Sequence, residues 1–432
     1  MMSKKVAFHT LGCKVNYFES EGVWEKFAAS GYVRVNFTDF ADVYVINTCS
    51  VTTSGDKKSR QFIRRAVRQN PDAVVCVMGC FSQTQPDAAI SIAGVDIVLG
   101  TSGRDQLVTL VEQFLKSRQP ISIVGDIAKE QEFESLTFAK FENRKRGILK
   151  IQDGCNNFCT FCIIPWARGR ARSEKPERVL EQARELVANG HVEIVLTGIH
   201  TGAYGEDFEN CTFADLLADL VEIDGLVRLR ISSIEATELT DEVLAVLASS
   251  DKVAKHLHVP IQSGSDAILK AMNRKYNLAE FEANIERIRA ALPGVSITTD
   301  IIVGFPGETA EMFAESLEAV KRIGFSEMHV FPYSVRSGTK AARMSGQVSE
   351  IVKTLRVSEM IAINEELGRK YVSMFARFVL EVIVEKVKDG YAIGHASNYL
   401  NIKFPVDADF DKRVVSVKIT KAGYPLCEGE IV

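Results

Sequence analysis

Three cysteines each stand two residues beyond a short apolar run that reads as a β-strand. Cys13 follows Val6–Leu11, Cys49 follows Val43–Asn47 and Cys80 follows Val74–Met78. Helical patterns at Asn16–Ala29 and Ser54–Asn70 lie between them, and a fourth strand follows at Val95–Leu99. Apolar runs alternating with helical periods predict a parallel sheet with helices on its faces. Ligands of open parallel sheets gather beyond the carboxyl ends of the strands, so this spacing carries three thiols to one edge of one sheet. A single such cysteine would be read as a small buried hydrophobe. Three at the same topological point predict a shared metal site. Cys76 lies inside an apolar strand and is expected in the core, while Cys211 and Cys427 have no partners by spacing.

A second cysteine group has a different pattern. Cys155, Cys159 and Cys162 form a C-x₃-C-x₂-C run. Three thiolates at this spacing hold three irons of a cubane and leave the fourth iron without a protein ligand. A cluster that only carries electrons is normally closed by four cysteines, and a structural zinc site also takes four protein ligands. This segment offers three thiolates and no nearby histidine, which points to a reactive iron–sulfur site.

The chain has 432 residues, room for two to four domains and a sizeable core. No window approaches eighteen uninterrupted apolar residues, so no membrane span is expected. The apolar stretch before Thr10-Leu-Gly-Cys13 is too short for a signal peptide. Nine cysteines without an export signal then predict reduced thiols and a cytoplasmic protein.

The net charge of −4 does not by itself announce nucleic acid, yet the charge is uneven. Lys57, Lys58, Arg60, Arg64, Arg65 and Arg68 follow one another with no acid between them, and positions 57, 60, 64 and 68 share one helical face. A solvated face is the ordinary reading of such a run. Its place directly after the Cys49 loop favours phosphate contact. A second basic series surrounds the C-x₃-C-x₂-C run: Lys140, Arg144, Lys145, Arg146 and Lys150, then Arg168, Arg170, Arg172, Lys175 and Arg178.

After a connector with one short strand, Ile121–Val124, a further βα series begins. Its strands are expected at Gly147–Ile151, Glu193–Thr197, Val227–Ser232, His256–Gln262, Ser296–Val303 and Glu327–Tyr333. Six βα units suit an open, partial barrel with its site at the carboxyl ends of the strands. The cysteine loop at 155–162 follows the first of them. A helix at Ser349–Lys370 leads to five short strands between Arg377 and Val432, the pattern of a small closed β-barrel. The expected fold is α/β. Its parts are an N-terminal parallel-sheet domain (1–118), a linker (119–140), a barrel core (141–370) and a C-terminal barrel (371–432).

Gly154–Arg170 resembles the cluster loop of the radical S-adenosylmethionine methylthiotransferases. Thr10-Leu-Gly-Cys-Lys-Val-Asn16, Asn47-Thr-Cys-Ser-Val-Thr52 and Met78-Gly-Cys-Phe-Ser-Gln83 resemble that family's N-terminal cysteine motifs. His256–Ser265, Gly304-Phe-Pro-Gly-Glu308 and the tail with Gly394-His-Ala-Ser-Asn-Tyr399 are also similar, the tail to the TRAM RNA-binding barrel. The triplet Lys14-Val15-Asn16, Thr197-Gly-Ile-His200 and the tail resemble the branch acting on threonylcarbamoyladenosine, 3′ to the anticodon. The isopentenyladenosine branch tends to carry Gln-Met-Asn after the first cysteine, and the ribosomal-protein branch Pro-Lys-Asn. Tyr17 departs from the family's glutamine.

The resemblance implies two 4Fe–4S clusters. Cys155, Cys159 and Cys162 would hold the one that chelates S-adenosylmethionine, and Cys13, Cys49 and Cys80 an auxiliary one. Cofactor contacts are expected from Phe161, Thr197, Gly198, Glu235, Gln262, Ser263, Val303 and Gly304, and RNA contacts from Lys57, Arg60, Arg64 and Arg68. The implied reaction replaces the C2 hydrogen of adenine by a methylthio group. That hydrogen is not acidic, so a tuned base is no use and a 5′-deoxyadenosyl radical is needed. The implied partners are the tRNA anticodon loop, a low-potential electron donor such as flavodoxin or ferredoxin, and a sulfur source. His200, His256 and His258 are expected in loop or packing roles, and Tyr391, Tyr399 and Phe404 in the tail core. The rival readings are methylthiolation of isopentenyladenosine, methylthiolation of a ribosomal-protein aspartate, and a non-catalytic iron–sulfur RNA-binding protein.

Overall fold

A computed structural model describes residues 4–139, 141, 145–407 and 409–432; Lys140 and Arg144 of the basic series lie outside them. The chain forms two compact units. One comprises residues 1–138, 150–174 and 334–342, the other residues 139–149, 175–333 and 343–432.

The first unit is built on six parallel strands: β1 (Lys5–Thr10), β2 (Val33–Val35), β3 (Val43–Thr48), β4 (Val74–Gly79), β5 (Ile97–Leu99) and β6 (Ile121–Ile123), in the order β2-β1-β3-β4-β5-β6. The central strands are buried along their whole length, as parallel strands covered on both faces must be. Alternate residues serve opposite faces. Val43, Val45, Val74, Cys76 and Met78 pack against Val23 and Phe27 of helix α1 (Lys14–Ala29). Tyr44, Ile46, Val75 and Val77 pack against Ile63 and Ala66 of α2 (Thr53–Gln69). Cys76 is fully buried, as its place in the strand predicts. Two features escape the sequence pattern: Val33–Val35 adds an edge strand, and the short strand of the connector joins the sheet beside β5.

His9 on β1 stacks on Phe62 of α2, and its Nε2 has no hydrogen-bond partner among the described residues. Burial, then Arg65, pushes its pKa down from 6.5 to about 4. The unfolded chain therefore takes up a proton at a higher pH than the folded one does. Stability is expected to fall as pH drops from 7 towards 4. In thermal unfolding between pH 7 and pH 5, His9→Gln should show a shallower loss of Tm than the parent. Equal slopes would show that His9 does not titrate this way.

In the second unit, strands Arg146–Lys150, Glu193–Thr197 and Arg228–Ile231 form one three-stranded sheet, and His256–His258, Ser296–Val303 and Glu327–Pro332 another. Isolated parallel bridges, Leu229 to Val253 and Ser233 to His258, connect them into an open half-barrel. The strand expected at His256–Gln262 stops at His258, because Pro260 cannot donate to a ladder. Gln262 turns with φ +67° and bridges to Ile301. The tail folds into a closed five-stranded barrel around Val382, Ile402, Phe404, Val417 and Cys427. Tyr391 departs from its expected core role: it is exposed, with the Lys403 ammonium 3.9 Å from its ring centroid. Tyr399 sits between His256 and His395, with the Arg230 guanidinium 4.8 Å from its ring.

Candidate metal centre

Because β1, β3 and β4 are neighbours in register, with Thr10 opposite Asn47 and Thr48 opposite Gly79, the loops that follow them are adjacent. Cys13 is the residue that caps α1, Cys49 precedes α2, and Cys80 opens a short helix, α3 (Cys80–Thr84). Small residues make the convergence possible. A Cβ on Gly12 would lie 3.1 Å from the Cys49 sulfur, and one on Gly79, at φ +99°, 2.4 Å from Asn47 Oδ1. Asn16, buried and three residues past Cys13, donates to the carbonyls of Leu11 and Thr48 at 2.8 and 3.0 Å. One amide thus ties the Cys13 loop to the Cys49 loop. Burial pushes the Cys49 thiol up to about 11, and the neighbouring Cys80 and Cys13 add to the rise. Metal binding needs the thiolate, so a cation is what would bring these thiols down.

The second triplet lies in the same unit. A two-residue ladder pairs Gln152–Asp153 with Arg172–Ser173 and closes the base of the loop that carries Cys155, Cys159 and Cys162. The Cys155 N–H donates to the Gly169 carbonyl at 3.1 Å, Cys162 N–H to the Cys159 carbonyl at 3.0 Å, and Asn157 N–H points at the Cys155 sulfur at 3.5 Å. Phe161 is half-buried on this loop. Gly154 has φ +72°, and a Cβ there would fall 1.8 Å from the Arg170 carbonyl oxygen. Gly154→Ala should therefore disrupt this triplet alone and lower bound iron from about eight to about four per chain. Unchanged iron would contradict it.

Arg168, directly before the Gly169 whose carbonyl accepts from Cys155, is fully buried. Its Nε donates to the Cys80 sulfur at 3.4 Å. Its Nη2 donates to Asn16 Oδ1 at 2.6 Å and to Glu19 at 3.1 Å, and its Nη1 reaches Asp153 at 3.3 Å. The Thr101 hydroxyl holds the preceding carbonyl, Ala167, at 2.6 Å. Lys150 joins Glu19 and Asp153 at 3.1 and 2.6 Å. Arg104 joins Glu19 at 3.0 Å and also Glu134, and Arg172 approaches Asp153 at 3.9 Å. Burial alone would raise the Glu19 carboxyl, but Arg104, Arg168 and Lys150 hold it down at about 2. Four cations thus pair with three carboxylates in a network that reaches Cys80. A cationic excess that reaches the Cys80 thiol suits an anionic cluster there. With three cysteines per set, each cluster would keep one iron free of protein.

The network corrects one expectation. An RNA substrate would explain the uneven basic charge, yet Lys150, Arg168 and Arg172 of the second series are all buried and paired. Arg170 stays exposed. On α2, Lys57, Arg64 and Arg68 are exposed, while Arg60 is half-buried with its guanidinium 4.7 Å from the Phe81 ring. The sequence reading passed over Asn16, Glu19, Arg104, Asp153 and Arg168 as site residues. Asn16, inside the Cys13 motif, and Arg168, inside the Gly154–Arg170 motif, are the available signals.

In the second unit, the remaining expected residues line the carboxyl ends of the half-barrel strands. Thr197 and Gly198 end one strand, Glu235 follows the next, Gln262 and Ser263 follow His256–His258, and Val303 and Gly304 end the fifth. Burial raises the Glu235 carboxyl, and Arg274 pairs with it. Ser263 is buried against Ser316, and Val303 is 1% exposed, so only their backbones could meet a ligand. Glu308 accepts from the Gly304 and Phe305 N–H groups and pairs with Arg356 at 3.2 Å. That contact sets the shape of the Gly-Phe-Pro-Gly turn. Of the histidines, His200 pairs with Glu238 and His256 with Thr298 at 3.0 Å. His258, Asp300 and His329 form a hydrogen-bonded triad. Burial would raise the Asp300 carboxyl, but hydrogen bonds from the two imidazoles hold it well below the usual range.

Comparison with known proteins gives the family of the chain. Residues 149–320 match the Radical SAM superfamily, and residues 5–100 the Uncharacterized protein family UPF0004. The chain is 52% identical over 433 residues to the threonylcarbamoyladenosine tRNA methylthiotransferase MtaB of Bacillus subtilis, covering 99% of this chain and 96% of that one. It is 36% identical over 442 residues to the tRNA-2-methylthio-N(6)-dimethylallyladenosine synthase of Carboxydothermus hydrogenoformans, covering 100% of both. Among solved structures, the radical S-adenosylmethionine methyltransferase TsrM of Kitasatospora setae matches with TM-score 0.60 and 15% identity, over 79% of this chain and 77% of that one. The last likeness is one of fold. The chain belongs to the radical S-adenosylmethionine methylthiotransferases. It is a transferase, with S-adenosylmethionine and 4Fe–4S clusters as its cofactors.

Proposed function

We propose that this enzyme inserts a methylthio group at carbon 2 of threonylcarbamoyladenosine, 3′ to the anticodon of tRNA. The observation that carries the reading is the placing of both cysteine triplets in one folded unit, joined through Arg168, which donates to Cys80 at 3.4 Å while its own chain segment closes the Cys155 loop. The 52% identity to a relative named for this substrate supports the choice of branch.

Cys155, Cys159 and Cys162 would hold the cluster that takes S-adenosylmethionine, and Cys13, Cys49 and Cys80 the second one. Bound there, these groups supply the low-potential electron, the carbon radical and the sulfur that no side chain can provide. The protein's own part is orientation. Gly154, Gly12 and Gly79 let the loops close, Asn16 pins two of them, and the Glu19–Arg168–Asp153 network fixes the spacing. Thr197, Gly198, Glu235, Gln262 and the backbone at Val303–Gly304 are the proposed S-adenosylmethionine contacts. The basic face of α2 is the proposed phosphate contact. An anticodon loop is already unpaired, so extracting its base costs only the low end of the roughly few kcal/mol that flipping demands. A flavodoxin- or ferredoxin-type donor and a sulfur source complete the set of partners.

The test is mass spectrometry of nucleosides from tRNA of cells with the gene deleted and then restored. The expected result is threonylcarbamoyladenosine without its methylthio group in the deletion, and the methylthio form on restoration. Loss of methylthio-isopentenyladenosine instead would move the enzyme to the other tRNA branch.

No helix among the described residues is long and apolar enough to cross a membrane. Absence of the protein from washed membranes is the expected result of fractionation.

A further inference from the structure

On and just after the Cys155–Cys162 loop, two large aromatic side chains are partly exposed. Phe158, between the first two cysteines, is 37% exposed, and Trp166, four residues past the third, is 47% exposed. Their rings meet edge to face, with centroids 6.1 Å apart. The exposed Arg170 places its guanidinium 4.8 Å from the Phe158 centroid. Phe158 also holds φ +48°, in the left-handed region. A position whose only task is to turn the chain there is normally filled by glycine or asparagine. A bulky, partly exposed aromatic kept in such a conformation is strained, and strain of this kind concentrates at functional sites.

Flat apolar rings next to a guanidinium have a natural complement. An unpaired nucleobase stacks on the aromatic face, and the phosphate beside it meets the arginine. We propose that Phe158, Trp166 and Arg170 form a stacking platform for an unpaired base of the RNA substrate, one that flanks the adenosine to be modified. The inference rests on the tRNA reading above and assigns part of the recognition to three residues of the cysteine loop. Covalent connection keeps the platform close to the chemistry, since Phe158 adjoins Cys159 and Trp166 begins one turn past Cys162. An acidic electron-donor protein is the other occupant that such a patch could take, and the test separates the two.

The experiment titrates the cluster-loaded full chain into a fluorescently labelled anticodon stem-loop containing threonylcarbamoyladenosine, and reads anisotropy. Trp166→Ala is expected to weaken binding about tenfold, while Trp166→Phe, which keeps a stacking face, restores most of it. Arg170→Gln should weaken binding and reduce its salt dependence by about one counterion. Iron content and circular dichroism report whether each variant is intact. Equal affinity of Trp166→Ala and the parent would overturn the platform. So would a defect confined to turnover with a protein electron donor, with RNA affinity unchanged; that result would mark a donor-docking surface. Failure of the parent itself to bind the stem-loop would instead sink the tRNA reading, and the platform with it.

Discussion

Replacing Cys80 by alanine is expected to abolish methylthio transfer while leaving reductive cleavage of S-adenosylmethionine within a few-fold of the parent. The reasoning is local. Under the proposed assignment Cys80 would serve the set formed with Cys13 and Cys49, whereas cleavage would belong to the loop closed by Gly154 and Gly169. Changing a residue that only orients a metal ligand typically costs about 10–100-fold; removal of a ligand should exceed that, and the transfer product should fall below detection. The measurement is paired quantification of 5′-deoxyadenosine and methylthiolated nucleoside in one anaerobic reaction. Equal loss of both products would mean that the two triplets do not act as separate centres. Cys159→Ala should instead abolish both products, because transfer depends on the radical that cleavage supplies.

Arg168→Met is the second large effect. The side chain is fully buried and bonded to Cys80, Asn16, Glu19 and Asp153 at once. Its removal leaves two buried carboxylates short of a cation and the Cys80 thiol without its donor. Breaking a buried ion pair in this way costs about 3–5 kcal/mol, so a clear fall in unfolding midpoint is expected. Iron held by the Cys13, Cys49 and Cys80 set should be lost first. Arg168→Lys keeps the charge but cannot present a planar fork to four partners. It should retain much of the stability and recover little of the transfer. Denaturant unfolding, iron content and product ratio together test this. A methionine variant as stable and as iron-rich as the parent would show that the network is incidental.

The cysteines were legible in the sequence because their positions are set by local rules. Strand length, the apolar run and a two-residue loop place Cys13, Cys49 and Cys80 at one sheet edge with no tertiary information. The same logic found the half-barrel strands, except where Pro260 cut one short. What stayed hidden depends on partners distant in the chain. Glu19 reads as a polar residue of an amphipathic helix, and Arg168 as one more basic residue in a basic stretch. Only the fold brings them together across 149 positions. Residues 334–342 likewise return to the first unit, where Arg336 pairs with Asp56 at 2.7 Å and Ser50 at 2.8 Å. Nothing in their composition announces that. Tyr391 and Phe404 were indistinguishable as strand aromatics, and the barrel buries one and exposes the other.

The most direct measurement is iron quantification with Mössbauer spectroscopy on anaerobically reconstituted protein. About eight irons per chain, in two cubane-type signals, are expected for the parent. About four, in a single signal, should remain when Cys49 and Cys80 are both changed to alanine. Four irons in the parent, or an iron content indifferent to that double change, would contradict the two-centre arrangement.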